Sequence, residues 1–322
     1  MIRPFAVLIP IYAAAVGMKN AAYERGWTRA QRLKWPVVSV GNLSVGGAGK
    51  TPLVIRLAQL LAAANVSVDV LSRGYGRSGS RVERVDAEGE AAQFGDEPML
   101  IARTAKVPVY VGASRYKAGL LAERDATGEG IHLLDDGFQH RGLARDLDIV
   151  VLHASDFEGS LLPAGRLREP LSSLKRASII VLRAEDRGLE AELRRKGISA
   201  PVWIQHRRLT VDTLTRVVAF CGIARPEEFF EAVRSQGVDV ATTMTLRDHQ
   251  AYTRAEMERV VAMLRDNNGE CFVTTEKDAA RMTREQRAQL KEVASLHVAR
   301  LEISFEDEDA VVQRLQSLLV RK

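Results

Sequence analysis

The sequence predicts an α/β fold in which helices cover a largely parallel β-sheet. Short apolar runs rich in β-branched residues, such as residues 37–40 and 147–152, have the length and composition of buried strands. Segments with helical periodicity, such as residues 51–64 and 226–235, lie between these runs. Further strand-like runs occur at residues 66–71, 107–111, 131–134, 179–182, 217–220 and 271–274, and further helical segments at 116–123 and 254–267. Because parallel neighbours need a crossover segment, this alternation indicates a parallel sheet with helices on its faces.

The composition is that of an ordinary globular protein. The 322 residues are 46% apolar and 27% charged, which excludes a disordered, collagen-like or low-complexity chain. The two cysteines, Cys221 and Cys271, both lie within apolar runs. We therefore expect buried thiols in a reducing compartment and no disulfide framework.

The length allows one large or two medium domains. No internal repeat and no linker rich in proline, glycine or serine is visible, and the polar stretch at residues 206–210 is the candidate point of division. We expect an N-terminal segment over residues 1–35, a core over residues 36–210 and a smaller C-terminal α/β part over residues 211–322.

The positive charge of the chain is local. Lys and Arg number 46 against 41 Asp and Glu, for a net charge of +5. Residues 1–35 hold six of these cations against the single acid Glu24, so the rest of the chain is neutral overall. A uniformly basic surface, which nucleic-acid-binding proteins often have, is therefore not expected, and we predict no nucleic-acid partner.

An apolar segment, residues 4–18, precedes this basic patch. It could be a secretory signal peptide, a full membrane span, a helix lying in the membrane interface, or a helix packed on the protein's own core. Its length, below the roughly 18 residues of a confident span, and Pro10 disfavour a span. We expect the interfacial helix, with its cations near the anionic head groups of a membrane. Whether residues 4–18 span or lie on the membrane stays open at this point.

The strongest motif is a glycine-rich phosphate loop. Residues 44–51 read Ser-Val-Gly-Gly-Ala-Gly-Lys-Thr, follow a predicted strand and open a predicted helix, which is the context that the motif requires. Backbone N–H groups of such a loop and the helix N-terminus bind phosphate oxygens. The lysine reaches the β- and γ-phosphates and the threonine hydroxyl binds Mg²⁺. The residues assigned to ATP here are Ser44, Gly46, Gly47, Ala48, Gly49, Lys50 and Thr51. The fold is therefore expected to be P-loop NTPase-like.

A pair of acids follows a second predicted strand. Asp135 and Asp136 directly follow residues 131–134, as expected for a carboxylate that holds Mg²⁺ beside a phosphate loop. The following Asp-Gly pair is also a common turn, which needs no metal. We expect Asp135 or Asp136 to bind Mg²⁺ and leave the choice between them open. Export of the protein is disfavoured, because ATP is a cytosolic nucleotide.

Several classes of protein share this loop. Partitioning ATPases carry an additional lysine where this chain has Val45, and an Asn-Lys-x-Asp motif of guanine specificity is not found. These differences favour a small-molecule kinase. A regulatory ATPase recruited to membranes, and a soluble kinase whose N-terminal helix belongs to the core, remain as alternatives.

The blocks of sequence around these motifs resemble the tetraacyldisaccharide 4′-kinases, the lipid A 4′-kinases of Gram-negative bacteria. The similar blocks occur in family order at residues 40–52, 72–77 (SRGYGR), 95–98 (GDEP), 134–140 (LDDGFQH), 162–170 (LPAGRLREP), 248–249 (DH) and 274–278 (TTEKD). The serine at the first position of the phosphate loop is part of the family's pattern, and so is a hydrophobic, basic N-terminus.

The resemblance implies an activity. It implies ATP- and Mg²⁺-dependent phosphorylation of the 4′-hydroxyl of tetraacyldisaccharide 1-phosphate, which gives lipid IVA. It also implies a peripheral enzyme on the cytoplasmic face of the inner membrane, whose partners are the lipid disaccharide and an anionic membrane surface.

The resemblance also assigns candidate catalytic residues. A kinase needs a group that orients and deprotonates the attacking hydroxyl, and the match indicates Asp96 as this base with His249 as its hydrogen-bonded partner. Lys50 and Arg168 are expected to neutralise phosphate charge, Arg168 being preferred to the other arginines of the similar blocks because it follows a constrained loop. Tyr75 is expected to stack on the adenine or to shape the acceptor site.

Overall fold

The computed structural model describes residues 8–47 and 49–320, and its strands form one twelve-stranded sheet. The strands are β1 (Val37–Asn42), β2 (Val68–Ser72), β3 (Glu83–Arg84), β4 (Val109–Val111), β5 (Ile131–Asp135), β6 (Leu147–Val151), β7 (Ile179–Arg183), β8 (Val202–Thr210), β9 (Arg216–Cys221), β10 (Asp239–Thr245), β11 (Cys271–Thr275) and β12 (Ser295–Phe305). Their order is β10-β9-β11-β12-β8-β7-β6-β1-β5-β2-β4-β3.

Helices connect the strands and cover the sheet. They are α1 (Ile9–Glu24), α2 (Lys50–Ala63), α3 (Ala91–Phe94), α4 (Asp96–Ala105), α5 (Arg115–Asp125), α6 (Ala154–Phe157), α7 (Leu189–Arg195), α8 (Pro226–Ser235), α9 (Arg254–Asp266), α10 (Glu276–Arg281), α11 (Arg284–Val293) and α12 (Glu308–Gln316), with 3-10 turns at Leu171–Arg176 and Ala184–Asp186. All neighbouring strands are parallel except β8 with β12 and β3 with β4. The predicted fold class is confirmed.

The central strands are buried on both faces. Every residue of β1, β2, β5 and β6 is buried, which is why these strands are largely apolar in sequence, with single buried polar residues such as Ser39, His132 and Asp148 among the apolar ones. Leu53, Leu57 and Leu61 of α2 and Met99 of α4 are buried against them. Each fully buried leucine side chain contributes roughly 2 kcal/mol to stability through removal of apolar area from water.

Two long strands, β12 and β8, join the two halves of the sheet. The first half contains β1–β7 and the second half contains β9–β11. The first part of β12, residues 295–299, pairs in parallel with β11, and the second part, residues 300–305, pairs antiparallel with β8. The polar stretch at residues 206–210, where the sequence suggested a division, is the second half of β8 and lies within the sheet. After β12 the chain returns to the first half, where Arg56 of α2 binds Glu308 of α12 at 2.6 Å. The division into residues 36–210 and 211–322 stays a prediction.

Several strands escaped sequence analysis because they carry polar residues. The residues of β8, β10 and β12 are mostly half-buried or exposed, so these strands lack the uninterrupted apolar pattern of the central ones. Both cysteines, in contrast, are buried and free, as expected.

The N-terminal helix, α1, lies on the outside of the protein. None of its residues is buried, and Ile11 and Met18 are 66% and 69% exposed. The alternative in which this segment belongs to the core is therefore wrong for residues 9–24. In the described part of the chain, no helix has both the length and the apolar character needed to cross a membrane. Residues 4–7 of the apolar segment lie outside the described residues.

Candidate active site

The phosphate loop lies between β1 and α2, as the sequence predicted. Gly49 caps α2 with a φ of 77°, and Gly46 has a φ of 95°, a left-handed conformation that glycine adopts without steric cost. Ser44 is buried, and the side-chain amide of Asn42 donates to its carbonyl oxygen at 2.8 Å. Thr51, in the first turn of α2, is also buried. Ala48, the remaining predicted loop residue, lies outside the described residues.

The backbone of residues 166–168 forms hydrogen bonds with the start of the phosphate loop and with the residue before it. The Val45 N–H donates to the Arg166 carbonyl at 2.8 Å, and the Arg168 N–H donates to the Leu43 carbonyl at 2.7 Å. The Arg166 guanidinium also donates to the Val45 carbonyl at 3.0 Å. This pairing explains why Arg168, distant in sequence, lies beside the phosphate loop.

Asn42 connects Lys50 of the phosphate loop with Arg168 of the neighbouring segment. Its Oδ1 accepts a hydrogen bond from Lys50 Nζ at 3.0 Å and a short one from Arg168. Asn42 is fully buried at the end of β1. Asn42 belongs to the similar block at residues 40–52, but no motif in the sequence indicated its role.

Arg168 and Asp136 form a bidentate ion pair. The Arg168 Nη1 and Nη2 atoms lie 2.9 and 2.8 Å from the two carboxylate oxygens of Asp136, and Lys50 Nζ lies 3.4 Å from Oδ1. Burial raises the pKa of Asp136, but the hydrogen bonds from Arg168 and the charge of Lys50 outweigh burial and hold this pKa far below its usual range. Asp136 is therefore an anion that already forms ion pairs with two cations, Arg168 and Lys50.

The environment of Asp135 shifts its pKa in the opposite direction to that of Asp136. Val40 of β1 is in register with Asp135 of β5, so this carboxyl lies at the strand ends beside the phosphate loop. Ser72 Oγ donates to its Oδ2 at 3.2 Å, whereas its Oδ1 is buried without a hydrogen-bond partner among the described residues. Burial, together with the charges of Glu97 and Asp136, raises the pKa of Asp135 to about 7. A cation would satisfy this oxygen and stabilise the ionised form.

Within the described residues no group of three or more His, Cys, Asp or Glu side chains is arranged as a metal cage. Mg²⁺ does not require one, because it commonly binds one or two carboxylates, phosphate oxygens and water. The Thr51 hydroxyl and Asp135 fit such a site.

Asp96 and His249 meet, as predicted. Asp96 is the first residue of α4 and is buried, and His249 Nδ1 lies 2.9 Å from its Oδ2. Burial raises the pKa of Asp96, but the hydrogen bond with His249 and the charge of Lys277 prevail and lower it. The hydrogen bond with Asp96 raises the pKa of His249 against the opposing effect of burial. The pair thus favours a carboxylate and an imidazolium.

Tyr75 lies with this pair. Its ring meets the ring of His249 edge to face, with centroids 5.5 Å apart, and the tyrosine is 65% exposed. Its predicted role toward the nucleotide or the acceptor stays a prediction.

Lys277 was missed by sequence analysis. Its Nζ lies 3.1 Å from His249 Nε2, 3.3 Å from Asp248 Oδ1 and 3.4 Å from Glu97 Oε1. Burial lowers the pKa of Lys277, but the charges of Glu97 and Asp96 outweigh burial and raise it. The signal was present, because residues 274–278 and 95–98 both belong to the blocks of resemblance.

Of the other arginines in the similar blocks, Arg77 binds Glu83 at 3.1 Å with a buried side chain, which indicates a structural role. Arg73 is exposed.

Comparison with known proteins identifies the family. The family model LpxK, described as tetraacyldisaccharide-1-P 4′-kinase, matches residues 1–320. The chain belongs to this family. It is 41% identical over 327 residues to the tetraacyldisaccharide 4′-kinase of Koribacter versatilis, with 98% of each chain covered, and 38% identical over 322 residues to that of Geobacter metallireducens, with 94% covered. The crystal structure of the "apo" form of LpxK from Aquifex aeolicus in complex with ATP matches with a TM-score of 0.79 and 31% identity over 99% of both chains.

In this member of the LpxK family, α1 is attached to the segment that carries Arg168. Tyr12 donates its hydroxyl hydrogen to the Arg168 carbonyl at 3.0 Å, and the Asn20 amide donates to Glu169 at 2.9 Å. Lys19 Nζ donates to the carbonyl of Gln139 at 3.1 Å, within the block that contains the two aspartates. The exposed apolar helix therefore lies beside the candidate active site.

Proposed function

We propose that the protein transfers the γ-phosphate of ATP to the 4′-hydroxyl of tetraacyldisaccharide 1-phosphate, giving lipid IVA and ADP. The observation that carries this proposal is the placement of an Asp–His pair and a cation-lined phosphate loop at the same end of one sheet. A regulatory ATPase needs the loop but no acceptor base, and membership of the LpxK family favours the kinase over it.

The residues of the loop bind and neutralise the triphosphate. Backbone N–H groups of the loop and the N-terminus of α2 hold phosphate oxygens, and the ammonium of Lys50 lies where the β- and γ-phosphates are held. Arg168 is kept in place by Asp136 and Asn42, so its charge is oriented before the nucleotide binds. Preorganised cations of this kind stabilise the charge of the transferring phosphoryl group.

Asp96 is the proposed base. As the 4′-oxygen forms its bond to the γ-phosphorus, the bond from phosphorus to the bridging oxygen breaks and its electron pair leaves with ADP. The hydroxyl proton passes to the carboxylate of Asp96. The low pKa of Asp96 suits a loose transition state, in which the hydroxyl loses its proton late and orientation matters more than basicity. His249 holds this carboxylate in position.

Mg²⁺ would be held by the Thr51 hydroxyl and by Asp135, since both oxygens of Asp136 bind Arg168. Bound there with the nucleotide, Mg²⁺ would neutralise charge that develops on the phosphate oxygens.

The substrate and the location of the enzyme follow from the same proposal. The acceptor is a lipid, and α1 presents exposed apolar side chains beside the cationic residues of the first 35 positions. We infer peripheral binding to the cytoplasmic face of the inner membrane, with α1 in the interface. We also infer that residues 36–210 act as the kinase core and that residues 211–322 form a subdomain that supplies His249 and Lys277.

Transfer of label from γ-radiolabelled ATP to tetraacyldisaccharide 1-phosphate in mixed micelles, resolved by thin-layer chromatography, tests the proposal. We expect labelled lipid with the wild type and none with Lys50→Ala. ATP hydrolysis without any labelled lipid would overturn the kinase assignment and support the regulatory ATPase.

A further inference from the structure

Arg207 of β8 lies against the phosphate loop. Its guanidinium carbon and Nη1 are 3.9 Å from the point where a side chain on Gly49 would begin. Gly49 is the residue that caps α2, and the amides at this helix N-terminus are the ones that bind phosphate. Arg207 thus approaches the nucleotide site from the strand that joins the two halves of the sheet.

The guanidinium of Arg207 has no partner in the part of the chain that the structure describes. It makes no hydrogen bond or ion pair there, and its Nε is buried. Burial and the nearby charge of Arg183 lower the pKa of Arg207 to about 10. Arg207 is half-buried, and withdrawing part of a cation from water without a partner costs free energy, so this arrangement favours an anion that completes it.

The two carboxylates near Arg207, those of Glu185 and Glu228, already form ion pairs with other arginines. Glu228 is 2.7 Å from Arg225 Nη1 and 3.3 Å from Arg183 Nη2, and Glu185 lies 3.6 Å from Arg183 Nη1. Three arginines therefore share two glutamates, and the positive charge in excess is that of Arg207.

We propose that Arg207 binds the phosphate chain of the nucleotide held in the phosphate loop. The inference rests on the proposed use of ATP and adds a phosphate-binding residue that no motif contains. An arginine suits this task, because its planar guanidinium donates two parallel hydrogen bonds to phosphate oxygens. Because β8 pairs with both β7 and β12, the position of Arg207 is set by the sheet.

Nucleotide titrations of three variants test the proposal. Arg207→Gln removes the charge and keeps a side chain of similar size. Arg207→Lys keeps the charge but lacks the planar guanidinium that donates two parallel hydrogen bonds. Arg208→Gln changes the exposed neighbour on the same strand. We expect ATP to bind Arg207→Gln about 10- to 100-fold more weakly than the wild type, the loss typical of a charged hydrogen bond. Arg207→Lys should lie between, and Arg208→Gln should bind ATP like the wild type. Equal affinities of Arg207→Gln and the wild type, or an equal loss in Arg208→Gln, would overturn the inference.

Thermal unfolding separates binding from folding. Because Arg207 has no ion-pair partner among the described residues, Arg207→Gln should melt at or above the wild-type temperature without nucleotide, and ATP should raise its melting temperature less than that of the wild type. A lower melting temperature of the nucleotide-free variant, with an unchanged shift on adding ATP, would make Arg207 a structural residue. Failure of the wild type to label lipid while it still binds ATP would reject the proposed function and leave this inference standing.

Discussion

His249, on the loop after β10, places Nδ1 2.9 Å from Oδ2 of Asp96, the first residue of α4. The two residues come from opposite halves of the twelve-stranded sheet. On the other side of the imidazole, the Nζ of Lys277 lies 3.1 Å from Nε2 of His249. The acceptor base of the proposed kinase is therefore assembled only when both halves are folded and joined.

Replacing Asp96 should remove phosphoryl transfer and leave nucleotide binding intact. Asp96→Asn keeps the shape of the side chain but accepts no proton, so we expect the rate of lipid phosphorylation to fall about 10²- to 10⁴-fold with unchanged affinity for ATP. Asp309→Asn, an exposed position on α12, is the matched control. Lipid phosphorylation at the wild-type rate by Asp96→Asn would place the base elsewhere.

Replacing His249 should move the pH profile. The hydrogen bond with His249 lowers the pKa of Asp96, so its loss in His249→Gln should raise that pKa. Because the base must be ionised, the acidic limb of the rate should shift to higher pH, and the rate at its plateau should fall. The measurement is the rate of lipid phosphorylation against pH, with His206→Gln, which changes an exposed histidine, as the control. An acidic limb that does not move would contradict the pairing.

Magnesium binding should compete with a proton on Asp135. Burial raises the pKa of this carboxyl to about 7, and a metal ligand must be deprotonated. With ATP present, the affinity for Mg²⁺ should therefore weaken as the pH falls below about 7, by up to about tenfold per pH unit. Mg²⁺ titrations of the rate at several pH values measure this dependence, which Asp135→Asn should abolish together with most of the activity.

The same carboxyl predicts a change in stability. Its folded pKa is raised above the unfolded value, so the native state binds the proton more tightly, and its contribution to stability is lost as the pH rises from about 4 to about 7. In denaturant unfolding of the nucleotide-free protein, the free energy of unfolding of Asp135→Asn should increase relative to that of the wild type as the pH rises over this range. Parallel curves for the two proteins would refute the assignment.

Asn42 should matter for both activity and stability. Its amide joins Lys50, Arg168 and Ser44 within the buried end of β1, and Asn42→Ala leaves these groups without that partner. We expect the rate of lipid phosphorylation to fall about tenfold or more and the free energy of unfolding to fall by about 1–3 kcal/mol. Gln236→Ala, an exposed position after α8, should change neither. Wild-type kinetics in Asn42→Ala would show that the two cations hold their places without it.

Membrane binding should depend on the exposed face of α1. Ile11 and Leu214 are 66% and 70% exposed, but only Ile11 lies on the helix proposed to enter the interface. Transfer of such a side chain into lipid contributes about 2 kcal/mol, so Ile11→Asp should lower partitioning onto anionic vesicles about tenfold or more, while Leu214→Asp should not. Co-sedimentation with anionic and neutral vesicles at two salt concentrations measures this. Equal losses in both variants would argue against α1 as the anchor.

Much of this protein could be predicted from its sequence. The parallel α/β fold followed from the largely apolar runs of β1, β5 and β6, because a strand buried on both faces is mostly apolar on both of its faces rather than on alternate residues. The phosphate loop followed from contiguous residues, because a strand, a glycine-rich turn and a helix N-terminus are one local unit. The meeting of Asp96 with His249 was predicted by family resemblance.

The tertiary structure decided what depends on distance across the chain. It separated Asp135, whose buried Oδ1 has no hydrogen-bond partner in the described part of the chain, from Asp136, held by Arg168, although the two are adjacent and chemically identical in sequence. It also brought Lys277 to His249, and directed Arg207 at the phosphate loop from a strand whose polar residues looked like a boundary. The physical reason is that ionisation and partnership depend on burial and neighbouring charge, and both are set by the register of strands far apart in the chain.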